Sequence, residues 1–316
     1  MEQKSFSAIY LVRQQLFSGR RSGMYELIKA GEKTYYMDCP AKVGFYLTGE
    51  NEVVVIDSGS DKDAGKKVKK ILDANGWRLA AIYNTHSHAD HIGGSRYLQE
   101  QTGCKVYAPG IEAAFAQYPV LEPCMLFGGF PMQELRSKFL MAKGSEAENL
   151  TEEVLPEGLS MIALPGHSYD MAGFRTDDNV IFLADSLCAA ETLSKYQISF
   201  LYDVRAYLET LETVKTLKAD CFIPAHAGAV SDIVPLAQLN IDKTKEIAER
   251  IKGLLKEPET FEELLTDVFS TFGLTMTLQQ NVLLGSTVKS YLAYLKDESA
   301  VNFFFEGNRM LWKAAE

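Results

Sequence analysis

The 316-residue sequence contains no long apolar run, only two tryptophans, and fewer basic than acidic residues. Its longest apolar runs, such as Val53–Ile56 and Val180–Ala184, are far shorter than the ~18 residues that a membrane span needs. Residues 1–30 also lack a basic segment followed by an apolar one, because Arg20 and Arg21 come after the modest apolar stretch. We therefore expect a cytoplasmic protein with neither a signal peptide nor a membrane span.

Positive charge is in short supply, with 32 Lys and Arg against 42 Asp and Glu and a net charge of −10. This balance argues against broad electrostatic binding to nucleic acid or to an anionic membrane. The hydrophobic fraction of 47% and the charged fraction of 23% are ordinary for a soluble domain. They exclude a disordered chain, a collagen-like chain and a coiled-coil rod. The length allows one large domain with a small one, or two moderate ones.

Closely spaced cysteine pairs are missing as well. The cysteines are odd in number and widely spaced, and no Cys-x-x-Cys pair occurs. This usage is typical of a reduced, cytosolic protein whose thiols are small buried side chains. They are Cys39, Cys104, Cys124, Cys188 and Cys221.

Strand and helix patterns alternate in the first part of the chain. Val53–Ile56 is an apolar strand, Lys62–Ala74 has apolar residues at helical spacing, and Leu79–Tyr83 is a second apolar strand. This succession favours an α/β layered domain. Residues 111–158 are rich in Met, Phe, Pro and Gly and interrupt the pattern. We interpret them as an insertion, either a flap over a pocket or a packed structural elaboration.

Helical patterns dominate after residue 235. Three helices followed by a hairpin favour a small winged-helix-like domain, so we predict one domain at residues 1–235 and another at 236–316. Thr260 precedes two glutamates, which is a signal for a helix N-terminus. The predicted elements are the helices Asn240–Lys256, Thr260–Phe272 and Thr277–Glu298 and the strands Ala300–Phe305 and Arg309–Lys313.

A histidine cluster follows the apolar strand Leu79–Tyr83. Four potential metal ligands lie within six residues: His86, His88, Asp90 and His91. In a loop, side chains two residues apart can point into one cavity, and a tight turn can bring round the next two. Imidazole and carboxylate ligands suit zinc, with iron and manganese as alternatives.

Three further candidate ligands occur singly near the ends of apolar strands. His167 comes after a predicted strand at Ser160–Leu164, Asp185 ends an apolar run, and His226 follows another. A single histidine is more often a core or loop residue than a ligand. Open α/β sheets, however, place their sites at strand ends, and here three strands each end in a potential ligand.

In chain order, His-x-His-x-Asp-His followed by single His, Asp and His residues resembles the metallo-β-lactamase-fold superfamily over residues 20–230. The resemblance implies an αββα sandwich of two mixed β-sheets flanked by helices, with two divalent metal ions. It assigns His86, His88 and His167 to one ion, Asp90, His91 and His226 to the other, and Asp185 to a bridge. Asp57 would orient a ligand by hydrogen bonding, unless it simply ends a strand.

The implied chemistry is hydrolysis. A hydroxide held by both ions would attack an electrophilic carbonyl or phosphorus, and Asp90 would steer the nucleophile or take a proton. At two positions this sequence differs from particular branches of the family, and each difference argues against one activity. Asp185 stands where many true β-lactamases of this fold have Cys, which argues against antibiotic hydrolysis. His86 stands in a pair of leading histidines, unlike the Glu-containing motif of flavodiiron relatives, which argues against a di-iron oxygen-reducing centre.

Three functions stay open. The first is hydrolysis of a small-molecule ester, thioester or lactone, for which the Met- and Phe-rich segment 123–141 would suit an acyl group. The second is endoribonuclease activity, because the C-terminal elements resemble a winged-helix domain in some relatives. The third is a persulfide-type dioxygenase with one iron, held by His86, His88 and either Asp185 or His167. A purely metal-binding partner module is disfavoured because every ligand position is present.

Charge weighs against the nuclease. Residues 236–316 carry 9 Lys and Arg and 12 Asp and Glu, a net charge of −3. Phosphate binding needs several cations on one face, so nucleic acid is a poor partner for this region. We interpret it as a packing or dimerisation module, which leaves a homodimer open.

Overall fold

The computed structural model describes residues 25–315, so the expectation about residues 1–30 lies almost wholly outside the described residues. Within that range the larger sheet consists of seven strands: β1 (Leu27–Lys29), β2 (Thr34–Met37), β3 (Val43–Leu47), β4 (Glu52–Ile56), β5 (Arg78–Tyr83), β6 (Lys105–Pro109) and β7 (Ala147–Leu150). They lie in the sheet in their order along the chain. β1 to β4 pair antiparallel, and β4 to β7 pair parallel.

Helices supply the crossovers that parallel neighbours need. Helix α1 (Lys62–Asn75) joins β4 to β5, as predicted to within one residue. The Asp61 carboxylate accepts hydrogen bonds from the N–H groups of Asp63 and Ala64, both at 3.0 Å, and so caps the start of the helix. Gly76 ends the helix with φ 67°, a conformation that glycine adopts without strain. α2 (Ala89–Ile92) and α3 (Ser95–Thr102) lie between β5 and β6.

A second sheet has four strands in the order β11, β10, β9, β8. Their bounds are β8 (Leu159–Ala163), β9 (Ala172–Thr176), β10 (Val180–Cys188) and β11 (Cys221–His226). The predicted ends of two strands were wrong. β10 continues to Cys188, so Asp185 lies within the strand, and His226 is the last residue of β11 instead of the residue after it.

The segment at 111–158 contains α4 (Glu112–Gln117), α5 (Leu121–Phe127) and β7. Because β7 pairs with β6, the end of the segment is part of the larger sheet, and a flap formed by the rest stays a prediction. Its other half exposes apolar side chains, and Tyr118, Phe127 and Phe130 are 63%, 42% and 74% exposed.

The C-terminal region contains three helices and a hairpin, in the predicted order. They are α8 (Val234–Leu254), α9 (Phe261–Thr271), α10 (Leu278–Asp297), β12 (Val301–Glu306) and β13 (Arg309–Ala314). Thr260 and Glu263 form a capping box, which confirms the predicted N-terminus of α9. The predicted start of the preceding helix at Asn240 was wrong. α8 begins at Val234, with Pro235 in its first turn, where a missing N–H costs no hydrogen bond.

Contacts divide the chain into two compact units. The first consists of residues up to Pro123, with Met132–Ser160 and Phe174–Phe182, and the second of the remainder. Val43, Phe45, Val55, Ile82 and Val106 contribute to the core of the first unit. In the second unit, buried side chains of α10 include Val282, Val288, Leu292 and Leu295. The domain boundary at residues 235 and 236, and the winged-helix likeness, stay predictions.

Two remaining helices in the second unit are α6 (Ala190–Tyr196) and α7 (Val204–Thr216), and Asp203 caps α7. No helix among residues 25–315 combines the length and the apolar character that crossing a lipid bilayer requires.

Candidate metal centre

Asp57, directly after β4, organises the histidine cluster. Its carboxylate accepts hydrogen bonds from the backbone N–H of Thr85 at 2.7 Å and from the Thr85 hydroxyl at 2.9 Å. It also lies 2.8 Å from Nδ1 of His91. Asp57 and His91 are almost wholly buried, and the carboxylate orients the imidazole by binding the Nδ1 proton. His91 is thereby left with Nε2 as the nitrogen that carries the lone pair.

Thr85 in turn orients the imidazole of His86 by a hydrogen bond. Because its hydroxyl donates its only proton to Asp57, the oxygen accepts the Nδ1 proton of His86, 3.0 Å away. The lone pair of His86 is therefore on Nε2, and this atom lies 3.0 Å from Nδ1 of His88. Two nitrogens bound to one zinc at ~2.0–2.1 Å in tetrahedral geometry stand about 3.3 Å apart. The spacing of these two imidazoles fits a shared ion.

Three other candidate ligands are equally close to one another. Oδ2 of Asp185 lies 3.4 Å from Nε2 of His167 and 3.2 Å from Nε2 of His226. His167 donates its Nδ1 proton to the carbonyl of Phe200 at 3.1 Å, so its Nε2 carries the lone pair. One carboxylate oxygen is thus at ligand-to-ligand distance from two histidines.

The loop before His167 has a tight backbone requirement. Gly166 has φ 118°, and a Cβ there would lie 2.2 Å from the backbone nitrogen of Tyr207. Its carbonyl accepts hydrogen bonds from the N–H groups of Tyr202 and Asp203 at 3.0 and 2.9 Å. The absent side chain therefore lets this loop pack against the start of α7, which fixes the position of the next residue, His167.

Within the described residues, three groups of side chains have their ligand atoms within 4.8 Å of one another. The groups are His86, His88 and His167; His86, His91 and Asp185; and Asp90, His91 and His226. All seven candidates from the sequence occur in these groups. The donor set of imidazoles and carboxylates fits a divalent cation such as zinc, iron or manganese, and it does not choose among them.

The end of β10 beyond Asp185 is also held firmly. The side chain of Asn240 accepts a hydrogen bond from the N–H of Cys188 and donates one to its carbonyl, both at 2.9 Å. Burial raises the pKa of the Cys188 thiol to about 11, so the sulfur stays protonated at neutral pH. This thiol lies 3.2 Å from the Ser199 hydroxyl. Asn240, placed by α8, was missed by the sequence analysis, and no local pattern distinguishes it.

Two more supporting residues were missed. Thr85 directly precedes the motif, and a hydroxyl beside a histidine is a weak signal that could have identified it. Glu112 is far from the motif in sequence, yet its carboxylate accepts the backbone N–H of Ser87 at 2.9 Å.

The chain is similar over part of its length to known proteins. Hydroxyacylglutathione hydrolase from Bradyrhizobium sp. (strain ORS 278) is 32% identical over 127 residues, which is 40% of this chain and 40% of that protein. The chain spans less than half the length of the curated relatives it matches.

Two solved structures share the fold. A metallo-beta-lactamase family protein from Thermus thermophilus has a TM-score of 0.68 and 19% identity, covering 90% of this chain and 99% of that one. A beta-lactamase domain protein from Burkholderia ambifaria has a TM-score of 0.72 and 14% identity, covering 95% and 98%. They confirm the predicted α/β fold class with two mixed sheets and helices. A family model described as the metallo-beta-lactamase superfamily matches residues 39–226, well over half of the chain, and the chain therefore belongs to that superfamily.

Proposed function

We propose that the protein is a hydrolase of small-molecule thioesters that uses two divalent metal ions. His86, His88 and His167 would hold one ion, Asp90, His91 and His226 the other, and Asp185 would bridge them. The observation that carries the proposal is the position of Oδ2 of Asp185, at 3.4 Å from His167 and 3.2 Å from His226. These two histidines belong to different ligand groups, so a single oxygen is suited to serve both ions.

The ions would supply Lewis acidity, which acidifies water and stabilises negative charge on a substrate oxygen. The chain supplies the orientation. Asp57 and Phe200 bind the Nδ1 protons of His91 and His167, which aims both Nε2 atoms at the site. Asp90 is 7% exposed, and its Oδ2 lies 4.0 Å from Nε2 of His91. We assign Asp90 a double role, holding an ion and accepting a proton from the attacking water.

A thioester is favoured over other carbonyl substrates by the named relatives. The curated proteins that the chain matches include hydroxyacylglutathione hydrolases, whose name describes cleavage of a thioester of glutathione. The exposed apolar residues Phe127 and Phe130 are candidates to contact an acyl group. The net charge of −3 in residues 236–316 continues to argue against RNA as a substrate.

The test combines metal analysis with a substrate panel. The full chain, loaded with zinc, iron or manganese, is assayed on hydroxyacylglutathione, acyl-coenzyme A, a lactone and labelled single-stranded RNA. We expect two metal ions per chain and release of free thiol from a thioester. Asp185→Asn should lower both metal content and turnover, whereas Asp267→Asn, an exposed residue of α9, should change neither.

Other results would contradict the proposal. One iron per chain with oxygen consumption on a persulfide would support the dioxygenase instead. Cleavage of RNA without thioester hydrolysis would support the nuclease. Full occupancy by two metals in Asp185→Asn would show that another group forms the bridge.

A further inference from the structure

Glu112 is a wholly buried carboxylate at the start of α4, with 0% of its surface exposed. Its Oε2 accepts two hydrogen bonds from Ser87, one from the backbone N–H at 2.9 Å and one from the hydroxyl. Ser87 is the residue between His86 and His88, and it is itself 5% exposed. A carboxylate from a distant helix thus binds the peptide that joins two candidate metal ligands.

Burying such a group is costly unless its charge is stabilised. A carboxylate removed from water loses favourable solvation, which hydrogen bonds must offset. Hydrogen bonds to a charged acceptor are short and roughly twice as strong as neutral ones. The two bonds from Ser87 therefore hold this peptide in one orientation.

The peptide at Ser87 has no regular secondary structure to hold it. It lies between the end of β5 and the first residue of α2, Ala89. Asp57 binds the loop at Thr85 and the helix at His91, on either side of this point. The hydrogen bonds of Asp57 to Thr85 and His91 leave the middle of the loop, at Ser87, unrestrained. Glu112 is positioned to restrain this middle part.

We propose that Glu112 is a positioning residue for the metal centre. By binding Ser87, it keeps Nε2 of His86 and Nδ1 of His88, which lie 3.0 Å apart in the structure, close enough to share one ion. It acts through the backbone and hydroxyl of Ser87 and would not itself be a metal ligand. The inference rests on the proposed function in one respect, namely that the histidines bind metal.

The alternative is that Glu112 only stabilises the fold. Helix α4 also packs through the buried residues Ala113 and Ala116, so a substitution at its first residue can disturb local packing. Metal affinity must therefore be measured separately from stability. The conservative change Glu112→Gln keeps the size and one carbonyl acceptor but removes the charge. Ser87→Ala removes only the hydroxyl donor and leaves the backbone bond.

The experiment titrates metal-free full-length protein with Zn²⁺ against a chelating indicator and with Co²⁺, whose visible absorption reports ligand geometry. Thermal unfolding of the metal-free forms is measured in parallel. Glu112→Gln should weaken Zn²⁺ binding about 10–100-fold and alter the Co²⁺ spectrum. Ser87→Ala should weaken binding less, in the same direction. Glu153→Gln, at an exposed position, serves as the matched control and should bind like the wild type.

The possible failures are distinguishable. If Glu112→Gln folds and binds Zn²⁺ and Co²⁺ as the wild type does, Glu112 does not position the site. If Glu112→Gln does not fold, Ser87→Ala decides, and wild-type affinity with an unchanged Co²⁺ spectrum in that variant overturns the inference. A wild-type chain that binds neither metal would overturn the proposed function and this inference with it.

Discussion

Replacing Asp57 with Asn tests the hydrogen-bond network that supports the candidate metal ligands. Asp57 has φ 61°, and Asn tolerates this left-handed conformation, so the backbone gains little strain. The amide oxygen can still accept the N–H of Thr85. The amide nitrogen, however, takes the place of Oδ2, which binds the Thr85 hydroxyl at 2.9 Å and Nδ1 of His91 at 2.8 Å.

Two hydrogen bonds to a buried charge are therefore lost. Each contributes roughly 1.5–3 kcal/mol, and rotation of the hydroxyl or a change of tautomer recovers part of this. We expect the free energy of unfolding of the metal-free protein to fall by about 2–4 kcal/mol. To accept a proton from the new amide, His91 must move its own proton to Nε2, which removes the lone pair that a metal would bind. Metal affinity should fall about 10–100-fold.

Urea unfolding of the metal-free protein measures the first effect, and metal titration measures the second. Asp61→Asn is the matched control, because Asn caps a helix as well as Asp and Asp61 lies outside the network. Unchanged stability together with two tightly bound metals in Asp57→Asn would refute the reasoning.

Two further perturbations follow from the loop before His167 and from a buried thiol. Gly166→Ala places a Cβ 2.2 Å from the backbone of Tyr207 at a positive φ, so it should cost more than about 2 kcal/mol of stability and reduce metal content. Gly228→Ala, where nothing lies within 4 Å of the new Cβ, should be tolerated, and equal effects in urea unfolding would contradict the steric argument. Burial raises the pKa of Cys39 from 9.0 to about 12, so its thiol should resist alkylation at pH 8 until the protein unfolds. Because the thiol ionises at lower pH in the unfolded state, Cys39 should lower the free energy of unfolding as the pH rises from 9 towards 12. Rapid labelling of Cys39 in the native protein, detected by mass spectrometry, would contradict its burial.

Local signals explain the helix ends that depend on neighbouring residues, and the sequence analysis used one of them, Thr260. Asp61 and Thr260 cap their helices through residues two or three positions away, and Gly76 ends α1, so short-range chemistry sets these boundaries. The start of α8 and the length of β10 were not predicted. Asn240, which we expected at a helix start, lies inside α8 and binds Cys188 at the end of β10, a contact between distant parts of the chain.

In the candidate metal centre, too, some features follow from neighbouring residues and others from contacts between distant parts of the chain. The residue types and their order identified all seven candidate ligands, since metal binding requires particular side chains and the motif keeps four of them adjacent. Cytoplasmic location, a homodimer and the role of residues 236–316 stay predictions.

Sequence alone determined which side chains are chemically able to bind metal, because that property belongs to each side chain and to its near neighbours. Only the tertiary structure decided how those side chains are aimed. Nδ1 of His167 is bound by Phe200, that of His91 by Asp57, and the peptide at Ser87 by Glu112. Each of these partners is brought into contact by folding from more than twenty positions away, a distance over which sequence spacing carries no information about geometry.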